Sequence, residues 1–70
     1  MTGYGVIIEG AEGQYSAYVP DLPGCVAAGE TIDEVERLIR EAIELHIESL
    51  RSNGDPVPSP SAVAATVVVA

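Results

Sequence analysis

The stretch TIDEVERLIREAIELHIESLRSNGDP, residues 31–56, constrains this chain more than any other part of it. Thr31 and Glu34 have capping-box spacing, in which a hydroxyl and a carboxylate each satisfy a backbone N–H that the first helical turn leaves orphaned. From there Ile32, Val35, Leu38, Ile39, Ala42, Ile43, His46, Ile47 and Leu50 recur at three- and four-residue steps. That spacing puts them on one stripe of an amphipathic helix. Asp33/Arg37 and Glu36/Arg40 are placed to pair at i,i+4 on another face, each pair worth ~0.2–0.5 kcal/mol. Gly54 suits the position just past the helix end, and Pro56 forbids continuation. The helix is therefore expected over about 32–52. In a chain of 70 residues it leaves room only for short strands.

Those strands are readable on either side. Residues 4–9 (YGVIIE) form a β-rich run, GAEG supplies a turn, and residues 14–19 (QYSAYV) alternate Tyr15, Ala17 and Val19 against Gln14, Ser16 and Tyr18. Two such runs joined by glycine-containing residues read as a hairpin. After PDLPG, residues 25–28 (CVAA) make a third short strand. The proline-punctuated DPVPSPS is an extended connector, and the valine-rich residues 63–69 make a fourth strand. A right-handed crossover through the helix lets this last strand lie parallel to the first. The expectation is one domain over 1–70, an α+β two-layer β-β-β-α-β sandwich. The sheet face away from the helix must be polar or meet another chain.

Composition narrows function. Eleven Asp and Glu face three Lys and Arg, a formal charge of −8. Nucleic-acid binding needs clustered cations to displace counterions, so direct binding is not expected. A basic protein partner fits this charge, although charge also serves solubility alone. Single cysteine and histidine residues rule out an internal disulfide and are too few for a closed zinc site. A chain this short has a thin stability margin. Without those staples, a homodimer or homotetramer is expected. With no Trp or Phe, the core falls to Ile, Val, Leu and three tyrosines. No leader peptide is recognisable. No apolar tract approaches the ~20 residues that span a bilayer. No membrane association is expected, and the location follows as cytoplasmic.

The chemistry-bearing residues concentrate in PDLPGC, residues 20–25. Pro20 and Pro23 flank Asp21 and Leu22, as a rigid catalytic carboxylate would require. One carboxylate makes no acid–base pair, however, and two-metal hydrolysis needs several acidic residues converging on the ions. Glu9, Glu34 and Glu41 are available only because acidic residues are spread throughout. Asp21 reads as a corner or contact residue. Cys25 with His46 as its base would make a nucleophile. Yet His46 falls in the helix's apolar arc, and Cys25 begins a strand, where cysteine packs as a small hydrophobe. The four N-terminal glycines lack the lysine and helix context of a phosphate loop. No cofactor or metal is expected. The helix face with Glu41, Glu44 and Glu48 is a solvated surface or a dock for a cationic partner.

Taken in order, a YGVIIE strand, a tyrosine-bearing second strand, PDLPGC, a short strand ending at Gly29, the TIDE-initiated helix and NGDPVPSPS closely resemble the HicB-like antitoxin family. The resemblance covers Tyr4 to about Ser61. It implies a truncated RNase H-like β-β-β-α-β fold without nuclease activity. It also implies a small, basic HicA-like partner, an mRNA-cleaving toxin whose catalytic histidine the antitoxin covers. Asp21 to Cys25 match the family's signature loop. Pro20, Pro23, Gly24 and Cys25 then read as its structural part, and Asp21, Leu22 and Pro23 as partner contacts together with Glu41, Glu44 and Glu48. Many family members continue into a DNA-binding domain. This acidic sequence shows the HicB-like domain alone, so direct DNA binding is not expected. A solitary homo-oligomer without a toxin, and a residual RNase H-like hydrolase using Asp21, are the competing readings.

Overall fold

A computed structural model of the chain describes residues 3–63, 65 and 67–69. Three strands, β1 (Ile7–Ala11), β2 (Gln14–Tyr18) and β3 (Val26–Gly29), precede one helix, α1 (Ile32–Ser52). Together they make an α+β fold. The strands form an antiparallel sheet in the order β1-β2-β3. Ala11 pairs with Gln14 across the two residues Glu12 and Gly13, so β1 extends through Gly10 and the turn is tighter than GAEG implied. At its other end β1 begins later than Tyr4. The residue after Tyr18, Val19, gives its N–H to Cys25 O at 3.2 Å, and β2 is thereby drawn into the next loop. Tyr4 to Val6 are left without a ladder partner among the described residues.

The register puts Ile8, Ala17 and Ala27 side by side on the face that meets α1. Ile7, Tyr18 and Val26 make the equivalent row on the opposite face, where Tyr18 and Val26 are exposed. That face is therefore mixed, because Glu9, Ser16 and Ala28 form its next row.

Helix α1 packs on β3 and β2. Thr31 caps it, accepting from Glu34 N–H at 3.1 Å. Glu34 Oε1 in turn accepts from Glu30 N–H at 2.9 Å, one residue earlier than the usual reciprocal box. The close approach needs Gly29. A Cβ there would fall 2.5 Å from Glu34 Oε1 and 3.1 Å from Val35 Cγ2. At the far end Gly54, with φ +73°, donates to Arg51 O, and Asp55 N–H donates to Leu50 O at 2.8 Å. Both Schellman bonds are thus made, and the left-handed position is one glycine takes without strain. Between these caps, 21 residues span ~31 Å, against ~17 Å for a five-residue strand. The helix is therefore longer than any described strand.

The core consists of Ala17, Val19, Leu22, Cys25, Val35 and Ile39. Tyr4, Val6, Ile8, Tyr15, Ile43 and Ile47 are among the half-buried residues around it. Two expectations are corrected here. Of the tyrosines, only Tyr4 and Tyr15 support the core, because Tyr18 lies on the outer face. The anticipated Asp33/Arg37 and Glu36/Arg40 pairs give way, among the described residues, to Arg37–Glu41 at 3.6 Å. The expected fourth strand includes Ala64 and Thr66, which lie outside the described residues. Val63, Ala65 and Val67 to Val69 carry no strand assignment.

Candidate functional site

The PDLPGC loop is two consecutive turns. Leu22 N–H donates to Val19 O and Cys25 N–H to Leu22 O, both at 3.0 Å. Pro20 and Pro23 each occupy the first central position of a turn, where their fixed φ is pre-set. Gly24 follows Pro23 with φ +85°, the left-handed position that a type II turn demands. The double turn drives Val19, Leu22 and Cys25 into the core, so the loop supplies half of the buried set. Pro20, Pro23 and Gly24 remain exposed on its rim.

This geometry corrects one assignment. Leu22 was expected on a partner surface, but it is 0 % exposed and packs inside. Burial also pushes the Cys25 thiol up from its ordinary range. That is opposite to the lowering a nucleophilic thiolate requires.

Asp21 is placed by the same turns to face the connector. Its carboxylate accepts the backbone N–H groups of Ser61 and Ala62, each at 2.9 Å, and the Ser61 hydroxyl as well. The Ser61 hydroxyl, then the two backbone donors, hold its acidity below the usual carboxylate range. Asp21 is therefore a latch joining the β2–β3 loop to a segment 40 residues away. A second tie lies nearby, where the Tyr4 hydroxyl donates to Pro58 O at 2.6 Å. Neither tie was evident in the sequence. The Pro-x-Pro-x-Pro-Ser pattern signals an extended connector but not its partners.

The acidic residues divide. Glu41 is bound to Arg37 on the outer surface of α1. Glu44 instead lines a groove of about 580 Å³ between β1 and α1, floored by Val6, Ile8, Ile39 and Ile43 and flanked by Glu36. Glu44 and Glu48 also border a neighbouring hollow of about 480 Å³ beside Tyr4, Ile47 and Val57, along the C-terminal half of the helix. Arg40 joins the rim of the groove and Arg51 that of the hollow, so the apolar groove has a mixed rim with an acidic excess. Among the described residues, no three His, Cys, Asp or Glu side chains gather as metal ligands. No described helix is long and apolar enough to cross a membrane.

Such a fold and site define a small acidic α+β protein with an apolar groove beside its helix. Its sequence matches the model of the HicB-like antitoxins of bacterial toxin–antitoxin systems over residues 4–69, and the chain belongs to that family. A UPF0150 protein of Synechocystis sp. is 46% identical over 56 residues, covering 79% of this chain and 71% of the relative. One from Thermoplasma acidophilum is 39% identical over 62 residues, covering 89% and 90%. A 14.9 kDa protein from the rep-hol intergenic region of Haemophilus phage HP1 is 38% identical over 55 residues. This chain spans only 41% of that phage protein.

Proposed function

We propose that this protein is an antitoxin-type binding module, without catalysis of its own, that occludes a small, basic HicA-like mRNA-cleaving toxin in the cytoplasm. Membership of the HicB-like antitoxin family is the observation that carries this reading. The charge of −8 favours a cationic partner. The contact surface is the exposed acidic side of α1, with Glu41, Glu44 and Glu48, together with Pro23 on the rim of the loop. Asp21 contributes by fixing the connector beside that rim. The hydrolase alternative loses ground, since both oxygens of Asp21 are engaged by Ser61 and Ala62.

In this reading the segment 63–69 adds a fourth strand at β1. It completes a two-layer, truncated RNase H-like domain that acts as a homo-oligomer. Co-expression with the product of a neighbouring small, basic reading frame tests the function. Recovery of a stoichiometric complex and restored growth are expected. A toxin that stays active and free in the presence of this chain would refute it.

A further inference from the structure

Asn53 is the chain's only asparagine, and Gly54 follows it. An asparagine before a glycine is chemically prone to close on itself, because no Cβ hinders the approach of the glycine nitrogen to the side-chain amide. Both residues are exposed. Beyond its chain neighbours, nothing lies within 4 Å of the place a Gly54 Cβ would take. Water and solvent base therefore reach the pair.

The helix end opposes that closure. The Gly54 N–H, whose proton has to leave, is donated to Arg51 O at 3.1 Å. The Asp55 N–H, donated to Leu50 O at 2.8 Å, holds Gly54 in its left-handed position at φ +73°. Asn53 has ψ 0°, which sets the Gly54 nitrogen well away from Asn53 Cβ about the Cα–C bond. Ring closure needs that angle to turn and the bond to Arg51 to break. One local opening does both, and helix ends are where such openings cost least.

We infer that Asn53 is a self-modification site guarded by the C-cap of α1. On opening, the Gly54 nitrogen gives its proton to a solvent base and attacks Asn53 Cγ. A C–N bond forms, the Cγ–Nδ2 bond breaks and ammonia leaves, giving a five-membered succinimide. Water then adds to either carbonyl of the ring and leaves aspartate or isoaspartate. The net charge goes from −8 to −9, as one carboxylate replaces a neutral amide. That carboxylate sits at the carboxyl end of the helix, where the macrodipole disfavours it. In isoaspartate the main chain also gains a methylene, which the paired Gly54 and Asp55 bonds do not accommodate. The cap loosens at the root of the connector that Tyr4 and Asp21 hold at Pro58 and Ser61. The inference is independent of toxin binding.

Incubation of the full chain in mildly alkaline buffer, followed by peptide mass mapping, tests it. Asn53 is expected to show the mass change of NH2 to OH, with isoaspartate among the products. The rate is expected to be lower than in a free peptide of residues 50–58 by about tenfold or more. Hydrogen exchange of the Gly54 amide should be slowed by a similar factor, since both events need the same opening. Asp55→Pro removes the N–H donated to Leu50 and pushes Gly54 toward extended backbone, while the Asn–Gly pair stays. With helical circular dichroism retained, this variant is expected to react nearly as fast as its own matched peptide. Three results would each overturn the guarded site. They are a native chain that reacts as fast as the peptide, one that stays unmodified while its Gly54 amide exchanges freely, and an Asp55→Pro chain no faster than the native one.

Discussion

Leu22 and Asp21 are adjacent in sequence and opposite in role. Leu22 is one of the two largest fully buried side chains, although it sits in a loop between two prolines. Truncation to Ala removes it from a core of six residues among those described, so Leu22→Ala is expected to cost about 2–5 kcal/mol. A drop in the urea midpoint with an unchanged slope reports that loss. Asp21, by contrast, bears on the connector. Asp21→Ala removes both oxygens that accept from the Ser61 and Ala62 N–H groups and the Ser61 hydroxyl. Those two amides are expected to exchange several-fold faster, with core amides unaffected. The pH dependence has a definite sign. Because the folded carboxylate is more acidic than the free one, the latch contributes fully above the ordinary carboxylate pKa of ~3.9. It is lost as pH falls through the lower folded value. The amide shifts of Ser61 and Ala62 are expected to stay constant from pH 7 to 5 and to move only below about 4.

Helix α1 was legible in the sequence almost to its ends because its signals are local. A cap, a 3.6-residue period and a glycine–proline stop all lie within the segment they control. The strands were readable in kind but not in extent. β1 begins where its neighbour stops turning away, and that depends on the Val19–Cys25 bond, which no pattern within residues 4–9 encodes. The burial of Leu22 was hidden for the same reason. Nothing in PDLPGC marks Leu22 as buried until the two turns are closed, and Asp21 finds its donors some 40 residues on. The helix start combines local and tertiary control. Thr31→Ala removes an N-cap acceptor and is expected to cost about 0.5–2 kcal/mol. Gly29→Ala leaves that cap intact but intrudes on Glu34 and Val35, an overpacking expected to cost about 1–3 kcal/mol. Thermal melts distinguish the routes. Replacing Glu34 by Ala is expected to relieve much of the Gly29→Ala penalty by clearing the crowded side chain, but to add to that of Thr31→Ala.

For the molecule as a whole, the charge of −8 is spread over a surface that also has to bury an apolar groove. The two meet on α1, where Glu44 lines the groove and Glu48 the hollow beside it, while Glu41 is in neither lining. Ile39, Ile43 and Ile47 face the groove, whereas Glu41 lies on the outer surface with 57% of its side chain exposed. A basic partner can then approach Glu41 without entering the groove. Charge reversal tests the acidic contribution to that approach. Glu41→Lys/Glu44→Lys/Glu48→Lys changes the net charge from −8 to −2, since each substitution removes one negative charge and adds one positive. Toxin affinity is expected to fall by a factor of ten or more at low salt. The difference from the native chain should narrow as ionic strength rises and the Debye length shrinks from ~10 Å at 0.1 M to ~3 Å at 1 M. An affinity that ignores both the reversal and the salt would move the toxin to the Ile7, Tyr18 and Val26 row on the other sheet face, where the contact would be apolar.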